Sequence, residues 1–301
     1  MVTFNQMLLM FCFITIGFGL NKLKLLPQNS DTVMSKLENY IFMPALVLNT
    51  FVNQCTIENI IDKWNYIILS LFSLLITSII SILLTHLFIR NHDEKGIYRY
   101  SFIIANIAFM GNAVVNGVFG EKVLFEYLIF TLPLNIFLNS IGISWLMPQK
   151  EGSYLKKFVN PINIATVCGI IIGISGIRLP VIVEKVISQA SGCMSPIAMI
   201  LTGFVIGGYN VKSLLVEKRV YALSMYRLIL LPIAFWGLSI LMKLPHDLTV
   251  VLICAYAMPL GLNTIVIPAA YGGDTTQGAS MALVSNVLSL VTIPLIFKLI
   301  V

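Results

Sequence analysis

Two stretches of this sequence place hydrogen-bonding side chains and helix breakers inside otherwise apolar runs. The first, SFIIANIAFMGNAVVNGVFG, extends from Ser101 to Gly120 and holds Asn106, Gly111, Asn112 and Asn116. The second, VLICAYAMPLGLNTIVIPAAYGG, extends from Val251 to Gly273 and holds Pro259, Gly261, Asn263, Thr264 and Pro268. In hydrocarbon an unpaired backbone amide costs several kcal/mol, so such a break persists only where it is buried in protein or lines a wet cavity. Each break starts a half-helix whose N-terminus presents unpaired N–H groups and a partial positive charge. Two such ends meeting at mid-membrane make a site for a carboxylate. Asn106, Asn112, Asn116, Asn263 and Thr264 are placed to add side-chain hydrogen bonds. A plainer reading competes, because Gly and Pro also kink tightly packed membrane helices. Breaks at matching places in two halves of the chain favour the site.

Other reactive side chains are sparse. No Asp or Glu falls in the middle of a predicted span; Glu121 and Glu126 sit near a span end, and Asp274 follows the ninth. Intramembrane acids are the usual carriers of coupled protons or sodium. The sequence thus argues against an antiporter with a buried aspartate pair and leaves uniport, anion exchange or a proton travelling with the substrate. Arg227 lies eight residues past Arg219, about 12 Å along a helix. It either snorkels to the membrane surface or faces a cavity and attracts anions. His86, four residues before Arg90, reads as interfacial, with a proton switch as the alternative. The five cysteines form no C-x-x-C pair and read as small packing residues. There is no phosphate-binding G-x-x-x-x-G-K-[ST] run, no His/Glu metal signature and no serine nucleophile elbow. The expectation is a protein without cofactor or metal, and not an enzyme.

The elements that must position these residues follow from composition. Of 301 residues, 58% are hydrophobic and 11% charged, and the mean hydropathy is +0.92. Soluble domains carry about 25% charged residues, and lipid is the solvent that suits so apolar a chain. The net charge of +6 is dispersed in short clusters between apolar runs, which orients loops and builds no nucleic-acid face. The N-terminus lacks a basic leader, so its apolar stretch reads as a retained first span. Apolar stretches of membrane-crossing length fall at about 4–21, 33–52, 64–89, 100–119, 124–147, 160–177, 181–208, 219–242, 248–271 and 277–300. Loops after odd-numbered spans hold twelve Lys and Arg, and the opposite side holds six. That excess puts the odd loops in the cytoplasm and both termini outside. The halves match weakly at an offset of 152: Gly17 with Gly169, Pro44 with Pro196 as paired kinks, and Phe119-Gly120 with Tyr271-Gly272. Five spans per half is an odd number, so the second half enters the membrane inverted. The expected organisation is a first five-helix repeat over 1–148, a short cytoplasmic linker over 149–159 and a second, inverted repeat over 160–301.

The motifs resemble a known family. Asn106-Ile-Ala-Phe-Met-Gly111 followed by Phe119-Gly120 looks like the fourth-helix signature of the auxin efflux carrier family. Met258-Pro259-Leu-Gly261-Leu-Asn263, followed by Tyr271-Gly272 and Asp274, looks like its ninth-helix counterpart, and Phe42-Met43-Pro44-Ala45-Leu46 fits the second helix. The resemblance spans the whole chain. It implies an all-α integral membrane protein with ten helices in two repeats, helices four and nine broken and crossing. It also implies a scaffold and a moving transport domain, similar to bile-acid symporters and sodium/proton antiporters. The substrates it implies are malate, malonate or related carboxylates in bacterial members and auxin in plant members. The short central stretch, Pro148 to Val159, is like the bacterial members. Plant members place a proline shortly after the glycine of the fourth helix; here Asn112-Ala113 follows Gly111. The ninth-helix crossover proline is replaced near Thr264, while Pro259 and Pro268 remain. A homodimer is also implied, although no stretch of the sequence marks a dimer face. The resulting expectation is a secondary carrier of a small organic anion in the cell membrane, with the lipid bilayer and a carboxylate as its partners. Its site would comprise Asn106, Gly111, Asn112, Pro259, Gly261, Asn263 and Thr264. The alternative is a channel or ligand sensor of the same fold.

Overall fold

The computed structural model describes residues 2–61, 63–91, 94–146, 161–270 and 274–300, and every regular element among them is helical. The linker expected at 149–159 and the Tyr271-Gly272 pair lie outside the described residues. In chain order the principal helices are α1 (Val2–Lys22), α2 (Ser30–Leu37), α3 (Met43–Gln54), α4 (Trp64–Phe88), α5 (Lys95–Ile103), α6 (Asn112–Phe137), α7 (Pro161–Ser175) and α8 (Val181–Gly207). They continue with α9 (Lys218–Met225), α10 (Leu231–Leu241), α11 (His246–Tyr256), α12 (Asn263–Ala270) and α13 (Thr276–Ile300). π-helical turns join α2 to α3 (Glu38–Phe42), lead into α6 (Ile107–Gly111) and join α9 to α10 (Tyr226–Leu230).

Lipid-facing chemistry is plainest in α4. It exposes Ile68, Leu71, Leu75 and Ile79 and buries Ser70, Ser73, Thr77, Ser81 and Thr85. The hydroxyls recur every three or four residues, on one helix face. Several are satisfied internally: Ser73 and Thr77 donate to backbone one turn back, and Ser81 donates to the Arg99 carbonyl at 2.8 Å. Small polar residues inward and large apolar residues outward is how membrane helices approach one another.

Six helical runs among the described residues are long and apolar enough to cross a membrane: those containing α1, α4, α5 with α6, α8, α9 with α10, and α13. The ten predicted stretches outnumber these six because the others are short, interrupted or joined into one helical run. Stretch 33–52 holds α2, a π turn and α3; stretches 100–119 and 124–147 fall in one run. That run turns at Gly120, whose φ of 80° favours glycine. Stretch 160–177 is the 15-residue α7, and stretch 248–271 is divided into α11 and α12.

α1 packs along α8, and α7 packs along α3. A Cβ on Gly17 would overlap the Ile200 carbonyl oxygen, and one on Gly169 would lie 2.7 Å from Phe51 Cβ and 3.5 Å from the Leu48 oxygen. These contacts are related by the 152-residue offset: it carries Gly17 to Gly169 and, reversed, Ile200 to Leu48. The contacts of Gly173 with Cys55 and of Gly207 with Asn21 are exchanged in the same way. Pro44 follows directly on the Glu38–Phe42 π turn, which continues without a break into α3, and Pro196 lies inside α8. Both prolines thus sit within continuous helical runs, where an internal proline is tolerated if neighbours satisfy the freed carbonyl.

The two interrupted helices and their buried arginine

The first interruption begins where α5 ends. Ile104 is extended (φ −104°, ψ 127°), Asn106 is non-helical (φ −76°, ψ 58°), and the Ile107–Gly111 π turn then leads into α6. Asn106 caps that turn: its Oδ1 accepts from the Phe109 and Met110 N–H groups at 3.2 and 3.3 Å. Its Nδ2 is buried and has no hydrogen-bond partner. The second interruption separates α11 from α12. Thr264 Oγ1 donates to the Gly261 oxygen at 2.9 Å, and Leu260 N–H donates to Ser285 Oγ at 3.0 Å. The two interruptions touch. Asn106 N–H donates to the Pro259 oxygen at 2.8 Å. A Cβ on Gly261 would stand 3.4 Å from Asn106 Cα, an ordinary contact distance, so the two interruptions lie directly against each other there.

Arg227 lies beside this junction, with 0% exposure. Its Nη1 donates to Phe102 O at 3.3 Å and to Ile103 O at 3.0 Å, the last carbonyls of α5. Its guanidinium carbon stands 5.3 Å from the ring centroid of Tyr256, the last residue of α11. The cation therefore occupies the negative, C-terminal end of α5, with the aromatic face of Tyr256 beside it. Among the described residues no carboxylate pairs with it, and Nε and Nη2 have no hydrogen-bond partner. It does not snorkel, so that sequence expectation is corrected. Partial charges on distant carbonyls outcompete the membrane surface, and nothing local in the sequence announces them.

A cavity of about 810 Å³ adjoins the first interruption. Ile107, Ala108 and Asn112 form one wall, and Asn39, Met43 and Thr131 are among the residues facing them. Asn112 Nδ2 lies 3.4 Å from Met43 Sδ, and its buried Oδ1 has no partner. Gly111 leaves room for Tyr127, whose hydroxyl donates to Ile107 O at 2.9 Å. A second cavity, about 960 Å³, is lined by Lys22, Lys24, Gln28, Tyr209 and Ile265. Ser35 and Lys36 stand in the walls of both.

The expected residues are thus divided. Asn106, Pro259 and Gly261 meet through backbone, and Asn112 lies in the wall of the smaller cavity. Asn263 turns to Tyr100, donating from Nδ2 to its hydroxyl at 3.1 Å, and Thr264 is held by Gly261. Asn116 is exposed, away from the interruption, and His86 is exposed in the last turn of α4. One acid was read as lying near a span end and is deeply buried, and another was passed over. Glu126 is 2% exposed and lies 2.5 Å from Lys63 Nζ. Glu38 has 0% exposure inside the second predicted stretch, and neither of its oxygens has a hydrogen-bond partner. The adjacent Glu38-Asn39 pair is the signal that finds it, since two polar residues in a row interrupt an apolar stretch only for a reason.

Helices interrupted in mid-course and joined through their breaks are a construction of membrane carriers, and the chain belongs to that class by descent. The family model described as membrane transport protein matches residues 2–157 and again 150–297, and the chain is a member of that family, the auxin efflux carriers. It is a transporter, not an enzyme. It is also similar to an uncharacterized transporter of Methanocaldococcus jannaschii, 23% identical over 305 residues that cover 98% of each chain.

Proposed function

We propose that the protein is a secondary carrier of a small organic carboxylate, of the size of malate, malonate or an auxin-like acid, working by alternating access of the elevator type. The observation that carries this reading is the contact between the two interrupted helices, with the fixed charge of Arg227 behind it and a cavity in front. The turn beginning at Ile107 and the side chain of Asn112 face that cavity, offering a helix N-terminus and an amide to an anion. Asn106 Nδ2, one residue earlier, is an uncommitted donor. Ten spans in two inverted repeats agree with the double family match and with the exchanged glycine contacts. With the odd loops cytoplasmic, both cavities open inward beside Lys36.

Counterflow in proteoliposomes tests the reading. Vesicles preloaded with a carboxylate that shifts the melting temperature of the purified protein should take up the labelled compound in a saturable way. Flux that rises linearly without saturation would establish a channel, and a melting shift without counterflow would establish a sensor.

A further inference from the structure

We propose that Glu38 is a proton-binding site that couples proton movement to carboxylate transport, an inference that rests on the carrier reading above. Glu38 is the one carboxyl group among the described residues whose two oxygens are both buried and without a hydrogen-bond partner. The comparison with Glu126 is instructive, because that acid is equally buried but has Lys63 beside it. Burying an unpaired carboxylate is far costlier than burying the same group as a neutral acid. A carboxyl placed so is a group whose surroundings change sharply with its proton.

Its position ties that change to the transport path. Glu38 opens the π turn between α2 and α3, and this turn packs on α8 and α7. Met34, one turn earlier on the same helix, packs in a cluster with Leu201 and Phe204 of α8 and Leu262 and Ile265 at the second interruption. Asn39 and Met43, next in the chain, line the cavity beside the first interruption. Glu38 therefore stands between Met34, which shares a hydrophobic cluster with residues of the second interruption, and Asn39 and Met43, which line the cavity beside the first. π turns carry an extra residue per turn and recur at functional sites.

Among the described residues no neighbouring charge explains the acid. On α8 the charged and titratable groups are Glu184, Lys185 and Cys193, all exposed, the first two in a separate cavity with Glu121. On α7 the group is Cys168, also exposed. On its own helix Lys36 and Tyr40 are exposed and Asp31 is half-buried near the chain entry. No group of three or more His, Cys, Asp or Glu gathers among the described residues. One lone acceptor suits a proton, which needs a single lone pair, better than a metal ion, which needs several ligands. The step is simple in balance: the Glu38 carboxylate takes one proton from the water on one side, becomes the neutral acid, and returns that proton on the other side.

The experiment uses the purified full chain, reconstituted, with Glu38→Gln and Glu38→Asp beside the parent. An inward proton gradient should drive uphill carboxylate uptake by the parent, with an entrapped pH dye reporting proton entry. Glu38→Gln should lose both while retaining counterflow, which needs no net proton movement, and Glu38→Asp should restore both. The infrared C=O stretch of a protonated carboxyl should be present in the parent and lost in Glu38→Gln. Proton-driven uptake that survives in Glu38→Gln overturns the proposal, as does a parent that shows counterflow but whose net carboxylate uptake an inward proton gradient does not drive. Loss of counterflow in Glu38→Gln without recovery of coupling in Glu38→Asp also overturns it, in favour of a structural role. A parent with no counterflow of any carboxylate fails the carrier reading instead, and the infrared band then decides separately whether Glu38 holds a proton.

Discussion

Asn106 has two jobs that substitution can separate. Its Oδ1 caps the half-helix by accepting from Phe109 and Met110, while its Nδ2 is buried and unbonded. Removing an asparagine cap costs about 0.5–2 kcal/mol of stability. Losing a hydrogen bond to a charged ligand costs about 1.5–3 kcal/mol, or about ten- to a hundredfold in affinity. Asn106→Ala should therefore lower both the melting temperature and carboxylate affinity. Asn106→Asp keeps the acceptor and sets a negative charge at the positive end of the half-helix, where acids are favourable. It removes the donor and repels an anion, so it should stay folded and lose carboxylate binding more completely than Asn106→Ala. The assays are thermal shift with and without carboxylate, and counterflow on the same preparations. If both variants bound and transported like the parent, with only the alanine variant less stable, Asn106 would be a cap alone. The site would then have to be sought at Asn112.

Three further outcomes are expected. Arg227→Lys keeps a charge but cannot reproduce the fork that reaches two carbonyls while lying over Tyr256; counterflow should fall at least tenfold in folded protein, an estimate from about 1.5–3 kcal/mol per charged hydrogen bond, and a parent-like rate would remove its assigned role. Lys63→Met leaves Glu126 buried and unpaired and should destabilise by about 3–5 kcal/mol, most of which Lys63→Met with Glu126→Leu should restore; equal melting temperatures for the single and double variants would show that the pair is idle. In a cysteine-free background, Gln28→Cys should react with impermeant reagent only from the cytoplasm and Ile177→Cys only from outside, and the reverse labelling would invert the topology.

Much of the fold is legible in the sequence because lipid demands it. A stretch such as Trp64–Phe88 can do little but cross, and Asn106-to-Gly111 and Pro259-to-Asn263 cannot stay regularly helical at that depth. What is illegible belongs to tertiary partners. The carbonyls that hold Arg227 lie 124 and 125 residues away in sequence, so no window around Arg227 distinguishes a snorkelling side chain from one that closes a half-helix. Asn263 shows the same limit: it occupies the motif position expected of a ligand, yet its amide is engaged by Tyr100, 163 residues away. Glu38 was hidden differently, by lying near a span end where acids are ordinarily solvated; only the packing of its π turn on α8 makes it an interior group.

Arg227, Asn106 and Glu38 divide the electrostatic work of the bundle. A half-helix that stops inside a membrane leaves a negative end as well as a positive one, and only the positive end suits an anion. Sodium- or proton-coupled carriers place mobile cations against such negative ends. Here the end of α5 faces a guanidinium that is effectively always charged, so that place is taken whether or not substrate is bound. Any proton that travels with the substrate must then be held elsewhere. Among the described residues, the buried carboxyl with no partner is at Glu38, next in the chain to the cavity-lining Asn39, and not at the junction of the two interruptions. Substrate binding and proton binding would accordingly be separable by mutation: Asn106→Asp should abolish carboxylate binding without removing the infrared band of Glu38, and Glu38→Gln should remove the band without abolishing binding. Loss of both signals in either single variant would mean that one group serves both ligands, and the division argued from the geometry would be wrong.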